Sequence, residues 1–217
     1  MKRLTKASVR TAVNMLFFAV IGTAVLAATF MLTHGRIAQS EEAEKLKLIN
    51  QVVPASLYDN DMVKDTLTLP ANEQLGTEQG SIAYRGRLNG QPSVVVLEVT
   101  APDGYSGKIN MIVAISEAGA ITGVRVVSHK ETPGLGDYIE IAKNKWITLF
   151  DNATHARYGE DAWRVRKDGG QFDYMAGATI TPRAVVKAVH KALHYFEDNR
   201  AALFAATADA KNKAKEE

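Results

Sequence analysis

Two threonines in the C-terminal third of the chain lie where a phosphate could bind. Thr179 and Thr181 stand directly before Pro182, in the segment DYMAGATITP. Pro182 suits the first position of a helix, and Thr181 suits its N-cap. The first amides of a helix lack intrahelical partners and carry a partial positive charge, so a phosphate beside Thr179 would be stabilised. The same spacing also fits a plain helix cap, which is the simpler interpretation when spacing alone is considered.

The segment HKETPGLG, residues 129–136, is a second candidate binding loop. We expect it to lie between the end of a strand and the start of a helix, where loops often hold binding sites. Gly134 and Gly136 would let the backbone approach a ligand closely. A Pro-Gly pair taken alone is more often only a turn. This loop therefore indicates a binding site only in combination with the segment DYMAGATITP.

Taken together, the two motifs resemble those of a flavoprotein family. The pairing of HKETPGLG with DYMAGATIT behind one N-terminal apolar segment looks like the FMN-binding domain of the G subunit of Rnf/Rsx electron transport complexes. It is similar, more distantly, to the C subunit of the sodium-translocating NADH:quinone reductase. The resemblance covers nearly the whole chain, from the apolar segment through the last predicted helix. It implies a domain that holds FMN and serves electron transport.

The resemblance also implies which residues bind the cofactor. In that family a separate flavin transferase joins FMN through a phosphoester to the threonine that closes the D-x-x-(S/T)-G-A-T pattern. Here that residue is Thr179, with Thr181 as an alternative acceptor that better fits the helix cap. Ala176 departs from the pattern, because Ser or Thr usually stands at its position. Besides Thr179, the implied cofactor-binding residues are Asp173, Gly177, Ala178, His129, Glu131, Thr132, Gly134, Leu135 and Gly136.

Composition excludes several other kinds of chemistry. The chain has no cysteine, which excludes a thiolate zinc site, an iron–sulfur cluster and a thiol nucleophile. Redox chemistry therefore needs a bound cofactor. The formal net charge is only +2, and four cations precede the apolar segment, so we expect no basic face for nucleic acid. His190 and His194 could share a metal, but no carboxylate partner stands out, and we expect both to be solvated.

An apolar segment near the N-terminus predicts a membrane span. Residues 11–33 carry no charge, and as a helix rising about 1.5 Å per residue they can cross a hydrocarbon core of about 30 Å. A cleaved signal peptide is the alternative, but its apolar part usually covers only about 7–15 residues. Cations at Lys2, Arg3, Lys6 and Arg10 place residues 1–10 in the cytoplasm by the positive-inside rule. The main domain then lies on the periplasmic face of a bacterial inner membrane.

The exported part divides into three predicted regions. Residues 34–80 are expected to form a stalk and connecting segment, with a helix over 41–53 and a short strand over 66–69. Residues 81–204 are expected to form the FMN-binding domain, and 205–217 a polar tail to which we assign no function.

Within the predicted domain, residues 81–204, the turn signals indicate an antiparallel sheet. The Asn89-Gly90 pair predicts one hairpin, and a turn containing Gly119 predicts a second. Alternation in the arms of the second hairpin suggests one buried and one wetter sheet face. The predicted fold class is α+β, with a mainly antiparallel sheet and flanking helices.

The remaining elements follow from periodicity. An apolar stripe predicts a helix over 137–150, and residues 163–167 and 171–174 are predicted as short strands. The last helix is predicted to open at Pro182 and to end near Asn199. Two aromatic residues, Tyr105 and Trp146, could stack on a flavin or pack in the core, and we favour packing.

The resemblance implies an electron-carrier subunit of a membrane-bound Rnf/Rsx-type complex rather than a complete enzyme. The implied partners are the other subunits of that complex, together with the flavin transferase. The alternative, from another functional class, is a membrane-anchored module that binds a phosphorylated ligand non-covalently or scaffolds a complex. A serine hydrolase is not expected, because Ser106 has no evident His and Asp partners.

Overall fold

The computed structural model describes residues 2–205, with side chains described for residues 12–31 and 46–205. The predicted polar tail lies outside the described residues from residue 206 onward. The chain divides into two compact units, residues 1–46 and 47–217.

The first unit holds residues 2–46 of one helix, and the last residues of that helix, 47–52, belong to the second unit. Helix α1 spans Lys2–Val52, and its segment Ala12–Met31 has a mean hydropathy of 2.0 with none of it buried inside the protein. These 20 residues rise about 30 Å as a helix, which matches the apolar thickness of a bilayer. The single N-terminal apolar helix is therefore confirmed.

The second unit is built on a five-stranded sheet with the strand order β1-β2-β3-β4-β5. Every neighbouring pair is antiparallel, which confirms the predicted α+β class. The strands are β1 (Thr66–Leu69), β2 (Ser81–Leu88), β3 (Gln91–Gly104), β4 (Gly107–Ser116) and β5 (Ile121–Ser128).

Both predicted hairpins form. Asn89 and Gly90 have φ angles of 53° and 74°, as a two-residue turn that follows the strand twist requires. Gly119, with a φ of 83°, lies in the turn between β4 and β5. A third turn, the residue pair Tyr105-Ser106, joins β3 to β4 and is closed by the Gly104–Gly107 pair.

Both faces of the sheet are buried, so the prediction of one wetter face is wrong. Along β3, Val95 and Leu97 face one apolar cluster, while Val94 and Val96 face another. The end of α1 covers the face of the sheet to which Val94 and Val96 point. The Thr122 hydroxyl on β5 donates to the Val52 carbonyl there at 2.8 Å. The periodicity of the strands could not predict this cover, because it comes from a helix that precedes the sheet in the chain.

Helix α3 (Ile180–Phe204) covers the other face and carries the largest apolar stripe. It differs from the prediction at both ends. Thr179, not Thr181, is the N-cap residue, so Thr181 and Pro182 are the second and third helical residues, and the helix continues beyond Asn199. Proline is tolerated there because the amides of the first turn lack intrahelical partners in any case.

The predicted helix over 137–150 is wrong. Two 3₁₀ helices, Asp137–Ile139 and Lys145–Phe150, occupy this segment. Asn144 interrupts them with an extended backbone at φ −154° and ψ 151°, and its side chain accepts a hydrogen bond from the Trp146 amide. The apolar residues still reach the core, but from two short turns.

The predicted strands over 163–167 and 171–174 are also wrong. A 3₁₀ helix forms at Arg166–Asp168, and the pairing is reduced to a single bridge between Val165 and Phe172. Gly170 explains why, because a Cβ there would lie 2.0 Å from the Arg164 carbonyl oxygen. The chain doubles back too tightly for a ladder of strands. The short helix α2 (His155–Tyr158) and the 3₁₀ helices Ala55–Leu57 and Glu160–Ala162 complete the elements.

Candidate functional site

The first motif leaves the end of β5 and forms a compact loop. The Thr132 carbonyl accepts hydrogen bonds from the amides of Leu135 and Gly136, at 3.1 and 2.9 Å. Gly134 adopts a φ of 77°, which glycine reaches without strain. Its amide donates to Asp137 Oδ1 at 2.8 Å. The loop is thereby tied to the 3₁₀ helix that follows it.

His129 stands behind this loop rather than in the site. Its Nδ1 accepts from the Glu131 amide at 3.0 Å, and its Nε2 lies 2.6 Å from Glu140 Oε1. With Ser128 and Glu140 it lines a separate depression. His129 therefore positions the start of the loop, and Glu140 fixes its ring.

The second motif is anchored by aromatic residues of the domain. The Trp146 indole donates to the Asp173 carbonyl at 2.6 Å, and the Met175 amide donates to the Tyr138 hydroxyl at 3.3 Å. Trp146 is 7% exposed and makes edge contacts with Tyr138 and Phe150. Packing is therefore the role of Trp146, as predicted. The Asp173 carboxylate pairs instead with Arg166 at 3.0 Å.

The two motifs meet at a cavity of about 310 Å³. This volume is at the lower end of the range of about 300–1,000 Å³ typical of small-molecule sites. The cavity is lined by Tyr105, Glu131, Thr132, Leu135, Gly136, Gly177, Ala178, Thr179, Ile180 and Thr181.

A buried carboxylate joins the parts of the cavity wall. Glu131 is 4% exposed, and its Oε1 accepts from the Ser106 amide at 2.9 Å. Its Oε2 accepts from the Thr181 hydroxyl. One side chain therefore links the turn after β3, the loop after β5 and the first turn of α3.

Gly136 lies where the loop after β5 meets the first turn of α3. A Cβ there would lie 2.9 Å from Glu131 Cβ and 3.0 Å from Thr181 Oγ1. This is closer than side-chain carbons normally approach, so only glycine fits without displacing the carboxylate or the hydroxyl.

Seven of the ten residues implied by the motifs line the cavity, and three do not. The lining set is Glu131, Thr132, Leu135, Gly136, Gly177, Ala178 and Thr179. The other three, His129, Gly134 and Asp173, hold the two loops from behind through the hydrogen bonds and the ion pair described above.

Sequence reasoning missed part of the wall. Tyr105 is 66% exposed at the cavity, so packing is the wrong role for this ring. The antiparallel register pairs Asn110 of β4 with Ser128 of β5, which brings the Tyr105-Ser106 turn beside the loop that follows β5. The turn and the loop therefore lie at the same end of the neighbouring strands β4 and β5.

The start of α3 gives the cavity its electrostatic character. The Thr179 side chain makes no capping hydrogen bond within the described part of the chain. The amides of Thr179, Ile180 and Thr181 precede the first residues with intrahelical partners, and Pro182 has no amide hydrogen. Unpaired donors, the helix dipole and a free hydroxyl at one rim suit a phosphate monoester. Thr181 differs, because it is 1% exposed and its hydroxyl is committed to Glu131.

Comparison with known proteins matches both units of the chain. Residues 1–52 match the RnfG N-terminal region, and residues 104–194 match an FMN-binding domain. The chain is 47% identical over 188 residues to the G subunit of the ion-translocating oxidoreductase complex of Vibrio atlanticus, covering 87% of this chain and 90% of the relative. The chain belongs to the RnfG family. The corresponding G subunits of Pseudomonas aeruginosa and Shewanella piezotolerans are 44% and 41% identical, over 92% and 88% of this chain and 94% and 90% of theirs.

The FMN-binding match contains the whole cavity of this RnfG-family chain. It begins at Gly104, directly before the Tyr105-Ser106 turn, and ends at His194 in α3. The family resemblance stated from the two motifs is thus confirmed. The chemistry of the cavity lining also suits FMN, since it offers free donors for a phosphate at one end and Tyr105, Leu135 and Ile180 as apolar contacts for a ring.

Proposed function

We propose that this chain is the electron-carrier G subunit of an Rnf/Rsx-type complex in a bacterial inner membrane, with FMN attached to Thr179 through a phosphoester. The observation that carries the proposal is the position of Thr179 in the cavity where both motifs meet. Its hydroxyl makes no capping hydrogen bond to the residues that the structure describes, and it lies within the region that matches an FMN-binding domain.

The contrast between the two threonines supports Thr179 as the acceptor. Thr179 is partly exposed, and its hydroxyl is available to an electrophile that enters from solvent. Thr181 is buried and donates to Glu131. In the attachment, Thr179 Oγ loses its proton and forms the bond to phosphorus, while the bond from phosphorus to the leaving group of the flavin donor breaks. The helix amides would then hold the phosphodiester oxygens.

The rest of the cavity would hold the flavin ring. Tyr105, Leu135 and Ile180 offer apolar surface, whereas the Thr132 hydroxyl can form a hydrogen bond with a polar ring edge. Glu131 is satisfied by Ser106 and Thr181, so its role is to fix the walls of the site. FMN, when bound, supplies the one- and two-electron chemistry, and the protein supplies binding, orientation and polarity.

The membrane span and its charges support the proposed location. The apolar segment Ala12–Met31 follows a cationic N-terminus, so residues 1–10 are cytoplasmic and the FMN-binding domain periplasmic by the positive-inside rule. We therefore infer that the domain meets the other subunits of the complex at the periplasmic face, and that a flavin transferase modifies it there. Protease added to spheroplasts should digest the domain, and full protection would refute this orientation.

Intact mass spectrometry tests the attachment. The full chain, co-expressed with a flavin transferase, should be heavier than the bare chain by the mass of one FMN minus one water. Thr179→Ala should remove this mass difference, and Thr179→Ser should retain it because the hydroxyl is kept.

Other results would contradict the proposal. A mass difference that persists in Thr179→Ala moves the acceptor elsewhere. Flavin that leaves the wild-type chain on denaturation, with an active transferase present, would favour a module that binds its phosphorylated ligand non-covalently.

A further inference from the structure

A cluster of three histidines and one glutamate lies away from the FMN cavity. His190 and His194 stand one turn apart on α3, His155 begins α2, and Glu160 begins the 3₁₀ helix Glu160–Ala162. One potential ligand atom from each of the four lies within 4.8 Å of all the others. The expectations that His190 is solvated and that no carboxylate accompanies the pair are both wrong, since the His190 side chain is 17% exposed and Glu160 Oε2 is 3.3 Å away.

We propose that this cluster binds one divalent transition-metal ion of the zinc class, through His155, His190, His194 and Glu160. Three imidazoles and one carboxylate are ligands that zinc takes in proteins. With four protein ligands the ion has no open position, so the site is structural.

Two of the distances between potential ligand atoms already match tetrahedral coordination. Zinc lies about 2.0–2.1 Å from nitrogen ligands, so tetrahedral ligand atoms are about 3.3–3.4 Å apart. Glu160 Oε2 lies 3.3 Å from the Nε2 atoms of both His190 and His194. The widest separation in the cluster, at most 4.8 Å, requires a contraction of about 1.4 Å at most when the metal enters.

Two imidazole nitrogens in the cluster are buried without a hydrogen-bond partner in the described part of the chain. They are the Nε2 atoms of His155 and His190. A buried ring nitrogen without a partner is costly, and a metal ion would satisfy both.

The surroundings orient the rings as they do in metal sites. Glu197 Oε2 lies 2.7 Å from His155 Nδ1, so His155 carries its proton on Nδ1 and leaves Nε2 free for a metal. A carboxylate behind a ligating histidine is the usual outer partner at zinc sites. The Trp163 ring lies parallel to His190, at 5.0 Å between centroids and an angle of 1°, and fixes the plane of that imidazole.

The site would join three separate segments of the domain. The metal would link α2 and the 3₁₀ helix at Glu160 to α3, the helix that carries Thr179 at its start. Glu160 and His194 have exposed fractions of 65% and 36%, so solvent reaches the site and the ion has a path of entry.

Metal binding to the full chain in detergent tests the proposal, with protein made without a polyhistidine tag and without flavin. After chelator treatment, Zn²⁺ titrated against a chromophoric competitor should bind with a stoichiometry of one per chain and raise the melting temperature. Co²⁺ should give the intense visible bands of tetrahedral coordination.

Variants assign the ligands. His155→Gln and His194→Gln should each lose stoichiometric Zn²⁺ binding while keeping the far-UV circular dichroism of the wild type. Glu197→Gln, which removes only the orienting carboxylate, should weaken binding by about 10–100-fold. Asp198→Asn is the matched control, because this neighbouring carboxylate bonds Gln74 instead, and it should bind as the wild type does.

Three results would overturn the proposal. These are no stoichiometric binding by the wild type, wild-type binding by folded His155→Gln and His194→Gln, or the weak Co²⁺ bands of octahedral coordination. None of these measurements depends on flavin, so their outcome is independent of the attachment at Thr179.

Discussion

Thr181→Val separates the structural role of the Thr181 hydroxyl from the proposed acceptor role of the Thr179 hydroxyl. Thr181 and Glu131 are 1% and 4% exposed, and the Thr181 hydroxyl donates to Glu131 Oε2. Valine has nearly the same shape but no hydroxyl. The variant therefore leaves Glu131 Oε2 without its donor, while the Ser106 amide still donates to Glu131 Oε1 at 2.9 Å.

The expected loss of stability follows from the charge of the acceptor. A hydrogen bond to a charged group contributes about 1.5–3 kcal/mol. For a domain of about 150–250 residues, each kcal/mol changes Tm by about 2–4 °C, so Thr181→Val should lower Tm by roughly 3–12 °C. Thr179→Val is the matched control. Its side chain makes no capping hydrogen bond in the described residues, so stability should change by less than about 0.5 kcal/mol.

Tryptophan fluorescence is the suitable probe of unfolding, because both tryptophans, Trp146 and Trp163, lie in the domain and none in the span. With co-expressed flavin transferase, flavin fluorescence in a denaturing gel reports attachment in the same samples. We expect Thr181→Val to melt early and keep its flavin, and Thr179→Val to melt normally and lose it. Thr181→Ser should resemble the wild type.

Two outcomes would refute this reasoning. If Thr181→Val melts as the wild type does, the bond to Glu131 does not support the cavity. If the folded Thr181→Val protein carries no flavin, Thr181 is the acceptor.

Three further predictions concern the walls of the site. Gly136→Ala should cost about 1–3 kcal/mol through overpacking against Glu131, and an unchanged Tm would contradict the close approach. Burial raises the pKa of Tyr138, so the neutral phenol contributes to the free energy of unfolding. That contribution is fully present below pH about 10 and is lost as the pH rises through the raised pKa of the folded state. Ultraviolet titration of the wild type should show one phenol that ionises at unusually high pH, and this signal should be missing from Tyr138→Phe. Trp146→Phe leaves the Asp173 carbonyl without its donor and should cost about 1–3 kcal/mol, measured by urea unfolding.

The sequence predicts the sheet of this domain well and its irregular segments poorly. Asn89-Gly90 and the alternation of β-branched residues are local signals, and both hairpins form as expected. The helix over 137–150 fails because an apolar stripe does not distinguish one helix from two 3₁₀ turns, and the Asn144 side chain decides between them by bonding the Trp146 amide. The strands over 163–167 and 171–174 fail because Gly170 brings the chain too close to itself.

The candidate site could also be predicted only in part. The two motifs could be read from residue type and spacing, and seven of their residues line the cavity. Spacing predicted Thr181 as the helix cap, whereas the cap is Thr179, because helix boundaries are uncertain by one or two residues. Contacts across long sequence separations, such as Glu131 with Thr181 and His155 with Glu197, depend on the tertiary fold.

The size of the cavity also supports the proposed covalent bond between FMN and Thr179. A cavity of about 310 Å³ is small for a ligand with a tricyclic ring, a ribityl chain and a phosphate, since deep sites bury most of a ligand's surface. Residual exposure weakens non-covalent retention, and a domain on the periplasmic face, as proposed, could not draw on cytoplasmic FMN to replace what dissociates. The proposed phosphoester at Thr179 would remove that conflict, because it would retain the flavin at the phosphate end. The ring would then stay partly exposed at the cavity mouth, where the proposed electron transfer to and from partner subunits would take place.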